Sequence, residues 1–88
     1  MKVEFRKSFE KDLRKLRDAS LLQRIKAAIE EVESAESLET VSNLSKLKAE
    51  GNHYRIKIGD YRIGIAVQSN SVDFIRVLHR KEIYRYFP

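Results

Sequence analysis

The sequence predicts an α+β fold, a small antiparallel sheet carrying two N-terminal helices on one face, with elements in the order βααβββ. Three observations predict it. The stretch His53-Tyr-Arg-Ile-Lys-Ile-Gly-Asp-Tyr-Arg-Ile-Gly-Ile65 alternates polar and apolar residues on both sides of Gly59-Asp60, the pattern of a β-hairpin. Upstream, apolar residues recur at helical spacing in two successive segments. Strand-like runs stand at the start of the chain, Lys2 to Arg6, and after the hairpin, Val72 to His79.

In chain order, Val3 and Phe5 alternate with charged residues and form the first strand. Ser8 can cap a first helix, whose apolar positions are Phe9, Leu13 and Leu16 and which ends near Arg17. A second helix starts at Asp18 or Ser20, since Ser20-Leu-Leu-Gln23 has capping-box form. Its stripe of Leu21, Ile25, Ala28, Ile29 and Val32 carries it to about Ser34. Glu30, Glu31, Glu33, Glu36 and Glu39 follow with no base among them. Acid near a helix C-terminus opposes the macrodipole, and a solvated face is the simplest reading. Residues 35–52 lack a clear period, although Leu38, Val41, Leu44 and Leu47 allow one more helical turn before a loop at Glu50-Gly51-Asn52.

A two-residue Gly-Asp connection suits a type II′ or I′ turn and fixes the hairpin register: Ile58 opposite Tyr61, Lys57 opposite Arg62, Ile56 opposite Ile63, Arg55 opposite Gly64. Tyr54, Ile56, Ile58, Tyr61, Ile63, Ile65 and Val67 then share one apolar face, and Arg55, Lys57 and Arg62 share the other with the small residues Gly64 and Ala66. Facing like charges cost roughly 0.2–1 kcal/mol. An anion or an acidic side chain over Lys57 and Arg62 would remove that cost; a basic face that is merely solvated is the alternative. Ser69-Asn-Ser71 marks a turn. The run Val72 to His79 is too apolar for perfect alternation and suits a central or bulged strand. The tail, Arg80 to Pro88, mixes bases with aromatics and can form one helical turn. Packing the apolar faces together should bury Ile56, Ile63, Ile65, Leu13, Ile25 and Ile29, and leave Arg55, Lys57 and Arg62 on one open concave face.

Eighty-eight residues, 42% of them hydrophobic, fit a single domain over 1–88. There is no cysteine, hence no disulfide and no thiolate metal site. Two histidines without acidic pairing make a metal site unexpected, no phosphate-binding glycine loop is present, and no cofactor is expected. Met1 to Lys7 is charged where a signal peptide needs an apolar run, and no segment approaches the ~20 apolar residues of a membrane span. A cytoplasmic protein with no membrane partner is the expectation. The net charge is +5: residues 1–45 hold nine Lys/Arg and nine Asp/Glu, and residues 46–88 hold nine and four. That excess favours a polyanion or an acidic partner on the second half.

The span Leu47 to Ile65, above all Tyr54-Arg-Ile-Lys-Ile-Gly-Asp-Tyr-Arg-Ile63, resembles the signature of the RelE/ParE superfamily of toxins. The opening strand, the helical pair and Leu78-His-Arg-Lys-Glu-Ile-Tyr84 are similar as well. The resemblance implies a RelE-like fold, a twisted antiparallel sheet packed on two helices. It also implies the toxin of a type II toxin-antitoxin system, partnered by a cognate acidic antitoxin in a toxin-antitoxin hetero-oligomer. RelE-like members are ribosome-dependent, metal-independent endoribonucleases that cut messenger RNA in the ribosomal A site; ParE-like members instead inhibit DNA gyrase. A non-catalytic basic RNA- or protein-binding module is the third reading.

Carried onto this chain, the resemblance implies Arg55, Lys57 and Arg62 as strand bases, Arg80 as the later arginine and Tyr84 as the C-terminal tyrosine; Lys46, Lys48 and Lys81, bases of the same positively charged half, are expected as further RNA-binding residues. Cleavage by 2′-OH attack on the adjacent phosphate needs a proton acceptor, cations for the five-coordinate phosphorane and a donor for the leaving 5′-oxygen. Arg55 stands where some members carry lysine, and because arginine stays protonated it can only clamp phosphate. Lys57, whose like-charged neighbours favour its neutral form, and His79, the residue type that titrates nearest neutrality, are the candidate bases. Tyr84 can stack on a base or hold the leaving oxygen. His53, just outside the strand, is expected to have no role. Arg55, Lys57, Arg62, Arg80 and Tyr84 together favour the nuclease over the gyrase binder.

Overall fold

The two-residue period and the Gly59-Asp60 turn produce the centre of the sheet, β3 (His53–Ile58) and β4 (Tyr61–Gln68). Their antiparallel register pairs Ile58 with Tyr61, Lys57 with Arg62, Ile56 with Ile63 and Arg55 with Gly64, as the turn length dictates. Of the two turn residues only Gly59 has positive φ, at 57°, which is the type II′ pattern. This computed structural model describes residues 1–47 and 51–88. The remaining elements are β1 (Lys2–Phe5), α1 (Lys7–Lys15), α2 (Ala19–Ser34), a 3-10 turn (Leu38–Thr40), β2 (Leu44–Lys46), β5 (Ser71–His79) and α3 (Ile83–Tyr86).

Asp18 caps α2, its carboxylate accepting from Leu21 N–H at 3.1 Å, so the helix begins there and not at Ser20. Ser8 does not cap α1. The helix opens one residue after an extended Arg6 that makes no side-chain cap, and Ser8 lies in its first turn with Oγ donating to the Ile75 carbonyl at 2.6 Å. The acidic end of α2 gains no base from its own last turn; the Met1 nitrogen donates to the Glu33 and Ala35 carbonyls at 2.8 and 3.0 Å, putting positive charge where the dipole favours it.

The strand order is β1-β5-β4-β3-β2. The sheet is mixed, not wholly antiparallel as expected, because β1 pairs parallel to β5 with Val3 opposite Val72 and Phe5 opposite Phe74. Parallel neighbours need a long crossover, and here everything between β1 and β5 supplies it: the two helices, then a meander returning strand by strand. The helical turn expected within residues 35–52 is the 3-10 turn Leu38–Thr40, and β2, which was not expected, adds a fifth strand, pairing Leu44 with Ile56 and Ser45 with Arg55. With three residues, it is too short for its alternation to register as a strand.

The register of β4 and β5 shifts between Gly64 and Ile65, so that Ile63 faces Val77 while Ile65 faces Phe74. This bulge explains the apolar run in β5: Val72, Phe74 and Val77 all turn to the helices although their spacing breaks the period of two. Those three close the core with Phe9, Leu21, Ile25, Val32, Ile56, Ile58, Ile63 and Ile65. Leu13 and Ile29, expected to be buried, are only half-buried at the margin of the core; the inward turn of α1 is occupied instead by Phe9 and by Asp12. Ile63 is fully enclosed. Truncating it to Ala should cost about 2–5 kcal/mol of unfolding free energy in a denaturant titration, and a loss below about 1 kcal/mol would contradict the placement of the hairpin's apolar face.

Candidate functional site

Alternation fixes which side chains share the sheet face turned away from α1 and α2. Across the strands one row reads Ser45, Arg55, Gly64, Arg76 and the next reads Lys57, Arg62, Leu78. Arg55, Lys57 and Arg62 are therefore brought together on one face as the turn length requires. Lys57 is exposed, and no ion-pair partner reaches it among the described residues. Arg62 folds back over the hairpin turn, Nη1 donating to the carbonyls of Gly59 at 2.8 Å and Tyr61 at 2.9 Å. Those two carbonyl dipoles, and no acidic side chain among the described residues, relieve its repulsion with Lys57. Its Nε and Nη2 make no hydrogen bond among the described residues and are available to an anion.

This face is not wholly open. After β5 the chain turns back over it, and the ring of Phe87, buried, lies so close to Gly64 that a Cβ there would stand 2.7 Å from its carbons. The small residues Gly64 and Ala66 are thus the seat of the tail: a side chain at Gly64 would push Phe87 off the sheet. Ile83 is buried beside it, while Tyr84 remains 61% exposed. The Arg55 guanidinium stands over the Tyr84 ring at 5.2 Å, a cation–π contact that orients both and leaves the outer ring face to solvent. Leu47, Tyr84, Phe87 and Pro88 line a depression of about 300 Å³ at this border. His53, for which no role was expected, packs edge-on against Phe87 with centroids 5.4 Å apart.

Arg80 follows β5 and closes on the hairpin tip, its N–H donating to the Asp60 carbonyl at 2.8 Å and its guanidinium lying 3.9 Å from the Asp60 carboxylate, both side chains well exposed. His79 is not brought to the basic face. It pairs with Tyr61 across the strands, touches that ring edge-on at 5.5 Å, and with it lines a cleft of about 250 Å³ against Asp12, Lys15 and Leu16 of the α1 side. Its Nδ1 accepts from Lys81 N–H at 3.1 Å, leaving Nε2 as the free nitrogen. Lys81 is exposed in the same turn. Lys46, opposite Tyr54, belongs by register to the helix-side face, away from Arg55. Lys48 lies outside the described residues.

One polar group escaped the sequence reading. Asp12 is buried at 5% exposure, and its carboxylate accepts from Arg76 Nε at 2.8 Å, Arg76 Nη2 at 3.1 Å and Val77 N–H at 3.0 Å. β1 ends at Phe5 while β5 continues, so the edge of β5 beyond Phe74 has lost its strand partner. Ser8 and Asp12 of α1 satisfy that edge instead, one the Ile75 carbonyl and the other the Val77 amide. The hydrogen bonds that Arg76 donates to Asp12 raise the Arg76 pKa above its ordinary value, against the effect of burial. Arg76 also lies 5.8 Å from the Tyr86 ring, so it links the edge to the tail and is not free to act as a site cation. The signal was present: Asp12 stands at i+3 from Phe9 and i+4 before Leu16, on the inward stripe of α1.

The chain matches, over residues 3–84, the family described as the ParE toxin of a type II toxin-antitoxin system, parDE. Toxin RelE3 of Methanocaldococcus jannaschii is 47% identical over 89 residues, with 100% of both chains covered. Among solved structures, a chain of the RelB-RelE antitoxin-toxin complex from Methanococcus jannaschii superposes with TM-score 0.81 at 45% identity, over 97% of this chain and 99% of that one. A chain of the intact Escherichia coli RelBE toxin-antitoxin complex does so with TM-score 0.62 at 29% identity, over 86% and 92%. A match spanning nearly the whole chain, on the same fold, places this chain in the RelE/ParE superfamily of type II toxin-antitoxin toxins.

Proposed function

We propose that the chain is a RelE-type messenger RNA interferase, a ribosome-dependent endoribonuclease that cuts in the A site by attack of a 2′-OH on the adjacent phosphate and needs no metal. The observation that carries this reading is the face shared by Arg55, Lys57, Arg62 and Tyr84, where the hairpin register clusters three cations beside one exposed aromatic ring. The 2′-O–P bond forms as the P–O5′ bond breaks, which leaves a 2′,3′-cyclic phosphate, and solvent water on this exposed face gives the leaving 5′-oxygen its proton. Lys57 takes the 2′-OH proton; Arg62, through Nε and Nη2, and Arg55 hold the charge that grows on the phosphorane oxygens. A base stacks on the outer face of Tyr84, whose inner face Arg55 already occupies. Arg80, beside the hairpin tip, and Lys81, exposed in the same turn, add phosphate contacts. Lys57 is preferred to His79 as base because it shares the face with both arginines, whereas His79 lines the cleft on the α1 side. Primer extension on ribosome-bound messenger RNA tests the reading: new 3′ ends should appear only with the protein present, and intact message at saturating protein would refute it.

On this reading the domain over 1–88 works in the cytoplasm and is held inactive by a cognate acidic antitoxin in a toxin-antitoxin hetero-oligomer. Two relatives were solved in such complexes, RelB-RelE and RelBE. An acidic, amphipathic segment would relieve the repulsion of the basic face and cover Tyr84 and Tyr86, which are 61% and 49% exposed. Association should be fast and fall steeply with salt, measured by stopped flow; a rate constant insensitive to ionic strength would contradict charge-led docking. The match to a family named for ParE favours a second reading, inhibition of DNA gyrase without cleavage. A supercoiling assay separates the two.

A further inference from the structure

The sheet face is not the only concentration of positive charge. Lys7, Lys11, Arg14 and Lys15 recur at i, i+4, i+7 and i+8 along α1, which puts all four on one helix face, opposite Phe9, Asp12 and Leu13. All four are exposed, and none forms an ion pair among the described residues. The row is about 12 Å long. Lys7, Glu10, Lys11 and Arg14 line a shallow depression of about 320 Å³, and Glu10 is the only acid on that face. The other acid of α1, Asp12, is turned inward and consumed by Arg76 and the Val77 amide. Helix stability accounts for only part of the pattern, since Arg14 and Lys15 stand in the last turn, where the dipole favours positive charge. Lys7 stands in the first turn, where positive charge opposes the dipole, and Lys7 with Lys11 and Lys11 with Lys15 are like-charged i, i+4 pairs.

We infer that this face of α1 is a second polyanion-docking surface, which grips the backbone of double-helical RNA while the sheet face engages the strand to be cut. Three features select this occupant. The ridge carries no exposed apolar residue, and an interface with another protein needs an apolar centre in which lysine is depleted. It carries no aromatic ring, which a surface built for single strands uses to stack bases. A straight row of Lys and Arg alone is what sequence-independent phosphate contact requires. The choice of RNA rests on the proposed function; the geometry of the ridge does not.

The test is equilibrium binding of the full chain to a blunt 20-base-pair RNA duplex across a salt series, a readout that does not involve cleavage, so that an inactive toxin and an inert ridge are told apart. The triple variant Lys7→Gln, Lys11→Gln, Arg14→Gln keeps helix propensity, and its fold is checked by circular dichroism. It should bind roughly 10²-fold more weakly at 0.1 M salt, with the slope of log K against log salt smaller by about 2–3. A charge-matched control, Lys2→Gln, Lys26→Gln, Arg85→Gln, should lose far less. Equal losses in the two triples would mean that net charge alone attracts RNA, and would overturn the proposal. So would a variant of α1 that retains native RNA binding, including one that has lost affinity for a polyglutamate peptide, the result expected if the ridge docks an acidic protein.

Discussion

Arg62→Ala should lower the rate of messenger RNA cleavage by roughly 10²–10³ while leaving ribosome association nearly intact. The asymmetry follows from geometry. The Gly59 and Tyr61 carbonyls take up Nη1 and hold the guanidinium over the turn, so the remaining donors are fixed beside Lys57 before any RNA arrives. A preorganised cation acts where charge develops in the transition state, whereas association draws on every base of a chain with net charge +5. Single-turnover cleavage and a ribosome-pelting assay, run side by side, separate the two effects. If the basic face only docks, Arg62→Ala and Lys46→Ala should weaken binding alike, and neither protein should yield cut products.

Lys57→Met should reduce cleavage by about 10²–10⁴, the range for removing a general base. Lys57 is exposed in a strand, so the substitution leaves the core untouched. Lys57→Arg sharpens the point: it restores the charge but cannot accept a proton at neutral pH, and it should be as slow as the Met variant. Rescue by arginine would reassign Lys57 to charge stabilisation. His79→Gln should leave the pH profile of single-turnover cleavage in place, because His79 faces Tyr61 and the α1 cleft. A shifted profile would transfer the proton to His79.

How far the site could be read in advance depended on which residues obey a period. Two hairpin strands joined by a two-residue turn have one register, so the sharing of a face by Arg55, Lys57 and Arg62 followed from counting alone. The helix stripes placed α1 and α2 with nearly correct ends, and Asp18 was one of two caps considered. What was missed depends on contacts distant in sequence. No local pattern says that β1 will lie parallel to β5, that β1 stops short and leaves Ser8 and Asp12 to finish the edge, or that Phe87 will seat on Gly64. The bulge in β5 changed the face of every residue beyond it, and so set His79 on the helix side. The equal count of acids and bases in residues 1–45 likewise hid a segregation in space: the acids gather at the end of α2 and the bases on α1.

Cleavage by the double variant Lys57→Met, Arg62→Ala tests the central claim most directly, since the claim is that one face of the hairpin holds both the proton acceptor and the phosphorane cation. Primer extension on ribosome-bound messenger RNA, with native protein and variant at equal ribosome occupancy, should show discrete new 3′ ends for the first and none above background for the second. Near-native cleavage by the double variant would contradict the account and remove the active site from this face.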